Sequence, residues 1–303
     1  MSTVVTVGTF DGVHRGHWAV LEEIVRRARA SGRASVLVTF EPHPLEVVNP
    51  QAAPPLLTLP DEKRLILARS AVDRVEFVPF TEELRSFPPE RFVRDVLERR
   101  FDVAELVIGH DHGFGRGRAG DVALLQRIGA EDGFAVDVVP AVQLDDGRPI
   151  NSSLIRRAVG GGDLETATRA LGRLYSMRGT VERGAGRGRT IGIPTLNVAP
   201  PSPRKLLPPD GVYAVVVSWQ GARHGAMANL GPRPTFDDHR RALEAHLFGF
   251  AGELYGETVT VEFVRRLRDV VRFGTVDDLK TQIAKDREAA LAALSAPGLG
   301  VTL

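Results

Sequence analysis

Apolar residues in the first half of the chain arrive in two rhythms. Short unbroken runs at Val4 to Val7, Ala34 to Phe40, Val75 to Val78, Leu106 to Ile108 and Val136 to Val139 have the length of strands buried on both faces. Between the first two runs, Trp18, Leu21, Ile24, Val25 and Ala28 recur at helix spacing, and Gly32 supplies the stop. Strand–helix–strand repetition with continuous apolar strands predicts a parallel sheet covered by helices on both faces, a nucleotide-fold architecture.

The rhythm changes near residue 172. Asp163 is a candidate N-cap for a short helix through Ala170, which Gly172 ends. Beyond it lie β-branched runs bounded by Gly and Pro: Met177 to Glu182, Gly211 to Trp219 and Glu257 to Phe263. These predict an antiparallel barrel or sandwich. A closing amphipathic helix is predicted from about Val276 to Leu294, with Leu279, Ile283, Asp286, Ala290 and Ala293 on roughly one face. No internal repeat is visible. The change of character divides the chain into 1–160, a helical linker 161–173, and 174–303.

Composition narrows the class. A length of 303 residues accommodates two ordinary domains, and 43% apolar with 25% charged residues is the balance of a soluble globular protein. A formal charge of +1 supplies no long-range pull toward nucleic acid or an anionic membrane. The absence of cysteine excludes disulfides, zinc-thiolate sites and thiol nucleophiles, and fits a reducing cytoplasm. The N-terminus carries no basic n-region before an apolar stretch, so it does not read as a signal peptide. No uninterrupted apolar run approaches about 18 residues, the length a spanning helix needs.

The chemistry begins directly after the first strand, at GTFDGVHRGH, residues 8–17. Gly8 and Gly12 let the backbone turn tightly and approach a ligand. The helix that follows points its N-terminal amides at that position, which favours an anion. His14 and His17, three apart, lie on one face of the first turn and are placed to donate to a phosphate as charge builds on phosphorus. Asp11 would orient one of them or face the substrate. Taken alone, the histidines would serve equally as solvated or capping residues. A zinc site lacks a third ligand at a suitable local spacing.

A second constellation opens the latter half: Gly179-Thr-Val-Glu-Arg-Gly-Ala-Gly-Arg-Gly-Arg-Thr-Ile-Gly-Ile-Pro-Thr-Leu-Asn197. Such a loop wraps a polyphosphate with backbone amides and positive charge, or is a flexible basic surface loop. Thr195 and Asn197, two apart in extended chain, offer a hydroxyl and a carbonyl on one side, both hard oxygen ligands suited to magnesium.

These stretches resemble, in order and over about residues 4–295, the bifunctional riboflavin kinase/FMN adenylyltransferases, the prokaryotic-type FAD synthetases. GTFDGVHRGH is nearly letter for letter the family's GxFDGVHxGH. Phe40-Glu41-Pro42-His43-Pro44 matches its FEPHP, Gly109 to Gly115 resembles its GxDFxFG, and Ile150 to Arg156 resembles its ISSTxIR. In the latter half, residues 184–197 resemble the kinase hallmark GxxxGRxxGxPTxN, Asn229 to Phe236 its NIGxRPTF, and Glu244 to Phe250 its ExHxxDF. Leu254-Tyr255-Gly256 and the DDLKTQIAKDREAA tail also agree. Asn151 replaces a common Ser, His112-Gly113 replace an aromatic and an Arg, and Gly249 replaces a common Asp.

The resemblance implies a Rossmann-like HxGH nucleotidyltransferase domain followed by an antiparallel β-barrel kinase domain with a terminal helix. In the first domain it places Gly8, Phe10, Asp11, Gly12, His14 and His17 at the ATP phosphates, with Ser153 and Arg156 on the triphosphate. Phe40, Pro42, His43, Pro44, Asp111 and Phe114 would meet the flavin. In the second it places Gly184, Gly186, Arg187, Gly188, Arg189, Gly192 and Thr195 around ATP, and Asn229, Arg233 and Tyr255 at the flavin. Thr195 and Asn197 would hold Mg²⁺, and Glu244 would be the general base.

The expected substrates are ATP, riboflavin and FMN, with FAD as product; no nucleic-acid or membrane partner is expected, and a homo-oligomer is compatible with the sequence. Two other readings stand beside this one. A nucleotidyltransferase for another phosphate ester would not need the Pro194–Asn197 run together with Glu244. A non-catalytic flavin-binding protein would be marked by loss of His14, His17, Thr195, Asn197 or Glu244, and all five are present. Nucleic-acid binding finds no support in a chain with 6% aromatic residues and no interleaved basic pattern.

Overall fold

The computed structural model describes residues 2–110, 120–184, 192–232 and 241–303. They divide into two compact units, Met1–Ser152 and Ser153–Leu303.

In the first unit, β1 (Thr3–Val7), β2 (Ala34–Glu41), β3 (Arg74–Pro79), β4 (Val103–Gly109) and β5 (Ala135–Val139) form a parallel sheet of order β3-β2-β1-β4-β5. Its strands alternate faces, and each face meets a different partner. Val4, Leu37 and Val107 pack with Leu21, Ile24, Val25 and Ala28 of α1 (Arg15–Ser31). Val5, Val36, Val38 and Leu106 point the other way, onto Phe92, Val93, Val96, Leu97, Leu125 and Ile128. Burial on both sides explains why these strands read as unbroken apolar runs rather than alternating ones. Gly32 ends α1 in the left-handed conformation (φ 66°) as its sequence position predicts.

Four helical segments in this unit are not among the elements predicted from the sequence. They are α2 (Pro44–Val48), α3 (Pro60–Leu67), α4 (Glu82–Ser86) and a longer stretch running through α5 (Pro89–Arg91), a π-helical turn (Phe92–Glu98) and α6 (Arg99–Phe101). Helix α7 (Val122–Asp132), capped by Asp121, completes the cover of the lower sheet face.

The second unit opens with α8 (Ser152–Gly160, its first residue still in the first unit) and α9 (Leu164–Leu171). Asp163 caps α9 by accepting from the Thr166 amide at 3.0 Å, and Gly172 (φ 72°) ends it. Six strands then close an antiparallel barrel: β6 (Tyr175–Glu182), β7 (Leu196–Ala199), β8 (Gly211–Trp219), β9 (Ala222–Pro232), β10 (Arg241–Leu247) and β11 (Thr258–Arg268). Their order is β10-β7-β6-β11-β8-β9, and the β9–β10 pairing completes the ring. The barrel, not the sandwich, is therefore the architecture.

The terminal helix α10 (Val276–Leu294) buries Ala290 and Leu294 against Ala214, Val216, Met227 and Phe248. Its apolar face also carries Asp286, 5% exposed. Arg268, at the end of β11, meets both carboxylate oxygens (Nε to Oδ1 2.8 Å, the nearer terminal nitrogen to Oδ2 2.6 Å), and Gln282 donates to Oδ1 at 2.9 Å. Removing one member of such a buried pair strands the other's charge. Asp286→Ala is therefore expected to destabilise the second unit by about 3 kcal/mol, toward the low end for buried pairs because Arg268 keeps some solvent. Urea unfolding measures this; an unmoved midpoint would show that solvent takes over Arg268.

Candidate functional site

In a parallel sheet of this order the crossovers reverse direction between β1 and β4, and ligands bind outside the carboxyl ends of the strands at that switch point. The loop leaving β1 there is residues 8–14, the same stretch that carries the histidine motif. The loop leaving β4 starts at His110; Asp111 and Phe114 lie outside the described residues.

The β1 loop is held in an unusual backbone course. Phe10, Gly12 and Val13 have φ of 48°, 83° and 38°, and only Gly12 adopts such a value without strain. The turn delivers His14 to the N-cap of α1 and His17 to its third position, where the two form a reciprocal capping box. The His17 amide donates to His14 Nδ1 (3.3 Å) and the His14 amide to His17 Nδ1 (3.2 Å). Each neutral ring therefore carries its proton on Nε2. The rings stack at 3.6 Å with 16° between planes, and Phe10 backs His17 at 4.6 Å. Gly16 lies under the His14 ring, where an added Cβ would come within 3.2 Å of it. Two stacked imidazoles with Nε2–H groups at a helix N-terminus are a pair of donors of the kind that suits an anion.

Asp11 is turned to a different task. It is 2% exposed, and its carboxylate accepts from the amides of Leu57 (3.2 Å) and Thr58 (3.0 Å) and from the Thr58 hydroxyl (3.2 Å). The Gly12 amide donates to the same hydroxyl at 3.0 Å. The stretch preceding α3 thus braces the β1 loop from below. Gly8 follows β1, its amide donating to Val38 O at 3.1 Å. The second loop of interest leaves β2. There Phe40 faces the core, 8% exposed, with Phe80 at 5.5 Å and Phe92 at 6.1 Å. Pro42 follows and is exposed. His43 caps α2, whose first residue is Pro44.

The sequence reading did not single out Lys63. It is 7% exposed, and its ammonium donates to Thr9 O (3.3 Å), Thr39 Oγ1 (3.2 Å) and Phe40 O (3.0 Å). A readable signal existed: Leu59, Lys63 and Leu67 recur at four-residue spacing, so the lysine occupies the buried face of α3. Ser153 and Arg156 stand on α8, the first exposed and the second half-buried.

In the barrel, register does the positioning. Asn197 on β7 lies opposite both Glu182 on β6 and Glu244 on β10, and Glu244 lies opposite Asn229 on β9. Directly opposed residues share a face with Cβ atoms about 5 Å apart. Glu182, Asn197, Glu244 and Asn229 therefore form one row across four strands. The row points out of the barrel: Val181, Val198, Leu230, Leu243 and Ala245 beside it are buried, while Glu182, Glu244 and Asn229 are exposed. Glu182 is a member that the sequence reading did not name.

Three contacts fix the surroundings. His246 Nδ1 donates to Pro194 O at 2.8 Å, holding the chain just before Thr195. Arg183 lies over the Tyr255 ring at 5.3 Å, and Val181 O accepts the Gly256 amide at 2.9 Å, docking that turn beside β6. Gly184 lies against Asn197 so closely that an added Cβ would stand 2.1 Å from Nδ2. Gly184→Ala is accordingly expected to push the Asn197 amide aside and slow any reaction built on this row by about 10²-fold, the cost of a 1 Å misplacement. Steady-state assay of the purified variant checks this, and an unchanged rate would show that Asn197 is not needed where it stands.

Gly192 (φ 80°) precedes this run, whereas Gly186, Arg187, Gly188, Arg189 and Arg233 lie outside the described residues. Gly249, where the sequence departs from Asp, has a left-handed backbone (φ 61°), and an added Cβ would approach Leu303 O at 3.1 Å.

Comparison with known proteins agrees with this division. A family model described as FAD synthetase matches residues 1–154, and one described as riboflavin kinase matches residues 171–294. The bifunctional riboflavin kinase/FMN adenylyltransferase of Pseudomonas fluorescens is 40% identical over 97% of this chain and 93% of its own length. The enzyme of the same name from Escherichia coli K12 is 39% identical over 93% and 90%. A solved structure from Streptococcus pneumoniae, described as a macrolide-efflux protein, superposes with a TM-score of 0.86 at 32% identity, covering 96% of this chain and 94% of that one. That name is said of that protein alone; among the described residues of this chain no helix is long and apolar enough to cross a membrane. With both family models matched in order and full-length relatives at this identity, the chain belongs to the bifunctional riboflavin kinase/FMN adenylyltransferase family.

Proposed function

We propose that the chain makes FAD in two steps, with 174–303 phosphorylating riboflavin, 1–160 adenylylating the FMN produced, and 161–173 acting as a helical linker. The observation that carries this reading is the pair of constellations in one chain: stacked, Nδ1-anchored histidines at a sheet switch point, and a carboxylate–amide row on a closed barrel.

In the first step Glu244 accepts the proton of the ribityl 5′-hydroxyl as its oxygen bonds to the γ-phosphorus of ATP and the bond to the β–γ bridging oxygen breaks, giving FMN and ADP. Asn197 lies in register between Glu182 and Glu244, so hard oxygen donors of the kind a divalent cation takes stand on neighbouring strands. Thr195 and Asn197 would hold Mg²⁺, which supplies charge neutralisation on the phosphates. Gly184, Gly192 and the basic loop between them wrap the nucleotide, while Asn229, Arg233 and Tyr255 meet the flavin.

In the second step a phosphate oxygen of FMN attacks the α-phosphorus of a second ATP, and pyrophosphate leaves. The Nε2–H groups of His14 and His17 donate to the α-phosphate as charge accumulates, and Ser153 and Arg156 hold the departing phosphates. Gly8, Phe10 and Gly12 shape the phosphate-facing loop, with Asp11 as its brace. Pro42, His43, Pro44, Asp111 and Phe114 line the flavin side, and Phe40 supports them from the core. The reading places the reaction in the cytoplasm, with small molecules as partners.

Incubating the purified chain with riboflavin, ATP and magnesium and separating flavins over time tests the whole scheme. FMN rising first and FAD later is the expected course. FMN alone would remove the adenylylating step, and no conversion would leave a binding protein.

A further inference from the structure

Lys63 contributes an ammonium to a place with almost no water, and every proton on it has an acceptor. Thr9 O belongs to the loop leaving β1, two residues after that strand ends. Thr39 Oγ1 and Phe40 O belong to the last turn of chain in β2. The Thr39 hydroxyl, while accepting from Lys63, donates to Thr9 O at 3.2 Å and closes the ring of contacts. A protonated lysine has three N–H donors and a neutral one has two. The full ring, three bonds from the amine and one from the Thr39 hydroxyl to Thr9 O, is therefore complete only when the amine is charged.

What the junction joins gives it meaning. Thr9 is followed by Phe10, whose ring backs His17. Phe40 opens the Pro42–Pro44 segment that caps and starts α2. Resting on the functional reading above, we propose that Lys63 is a positioning residue of the adenylylating site, locking the loop behind the histidine pair to the strand end that carries the flavin-facing segment.

The charged groups around Lys63 bear on when the lock holds. Burial pulls its pKa down to about 8, with Asp11 and Glu41 opposing that shift and Arg64 adding to it. Glu41 is itself paired with Arg64, and Asp11 is held by the amides of Leu57 and Thr58. The sign follows: below this value the amine is charged and the ring of contacts complete; above it one hydrogen bond of the ring is given up, because the neutral amine keeps Thr39 only by accepting the hydroxyl proton that otherwise goes to Thr9 O, and alignment between the two loops slackens.

The test uses the intact chain and follows FMN adenylylation and riboflavin phosphorylation side by side from about pH 7 to about 9.5, bracketing the titration. The wild type is expected to lose adenylylation rate along an alkaline limb near pH 8 that phosphorylation does not share. Lys63→Met keeps the stem and removes the charge. It is expected to lower the adenylylation kcat at neutral pH by at least about tenfold and to abolish the limb, with phosphorylation unchanged. Wild-type adenylylation by Lys63→Met, or a limb that persists in it, overturns the proposal. Should Lys63→Met fail to fold, the wild-type profile decides: a limb confined to adenylylation supports the lock, and a flat profile overturns it. Absence of adenylylation by the wild type at every pH overturns instead the functional reading itself.

Discussion

Glu244→Ala is expected to slow riboflavin phosphorylation by about 10²- to 10⁴-fold, the contribution of a positioned general base, while FMN adenylylation continues at the wild-type rate. The substitution is structurally mild. Glu244 is exposed, and the packing of β10 rests on its neighbours Leu243 and Ala245, both essentially buried. Pairing of β10 with β7 and β9 uses backbone atoms that the change leaves in place. A folded, adenylylating, kinase-dead chain is therefore the predicted result. Glu244→Gln sharpens the assignment, because it keeps the shape and most hydrogen bonding but loses the proton acceptor. If the Gln variant phosphorylates riboflavin as fast as wild type, Glu244 is not the base. If Ala abolishes both activities in a folded protein, the separation of sites is wrong.

The converse substitution, His17→Ala, is expected to lower adenylylation by about 10²- to 10³-fold, so that FMN accumulates from riboflavin. Here the structure adds a complication, since His17 Nδ1 also accepts the His14 amide. Losing a cap of this kind costs about 1 kcal/mol of stability, whereas the expected catalytic loss corresponds to about 3 to 4 kcal/mol of transition-state stabilisation. Measuring both separates them: a modest fall in the first unit's stability with a large fall in adenylylation supports the phosphate-facing role. A loss of activity no larger than the loss of cap would reduce His17 to a helix-capping residue.

Much of the first unit was legible because its signals are local. The Val4–Val7 and Ala34–Phe40 runs, the α1 spacing and the Gly32 stop each follow from a few neighbouring residues, and the structure puts elements at Thr3–Val7, Ala34–Glu41 and Arg15–Ser31. The stretch from Pro89 to Phe101 was missed although Phe92, Val93, Val96 and Leu97 recur at helical spacing and are the residues it buries. Strand β10 shows the limit from the other side. Arg-Ala-Leu-Glu-Ala-His-Leu is built from good helix formers, yet the chain is extended there because β7 and β9 flank it in a closed ring.

Charged residues on apolar helix faces were the most informative oversight. Asp286 was visible on the inward face of the terminal helix, and Lys63 on that of α3, and both found buried partners. The commitments of Asp11 and Phe40 had no such trace in sequence: the first depends on Thr58, far along the chain, and the second on Phe80 and Phe92.

The two sites also differ in what must happen before each exists. The histidine pair is completed within ten consecutive residues at one strand exit. The row on the barrel draws Glu182, Asn197, Asn229 and Glu244 from four strands, and its members meet only once β9, β10, β7 and β6 have paired in register. Non-local pairing of this kind is the slow part of β-sheet assembly. On the proposed reading, recovered phosphorylation during refolding reports the seating of these four strands, and a slip of one position in any of them would silence it while leaving a compact protein behind.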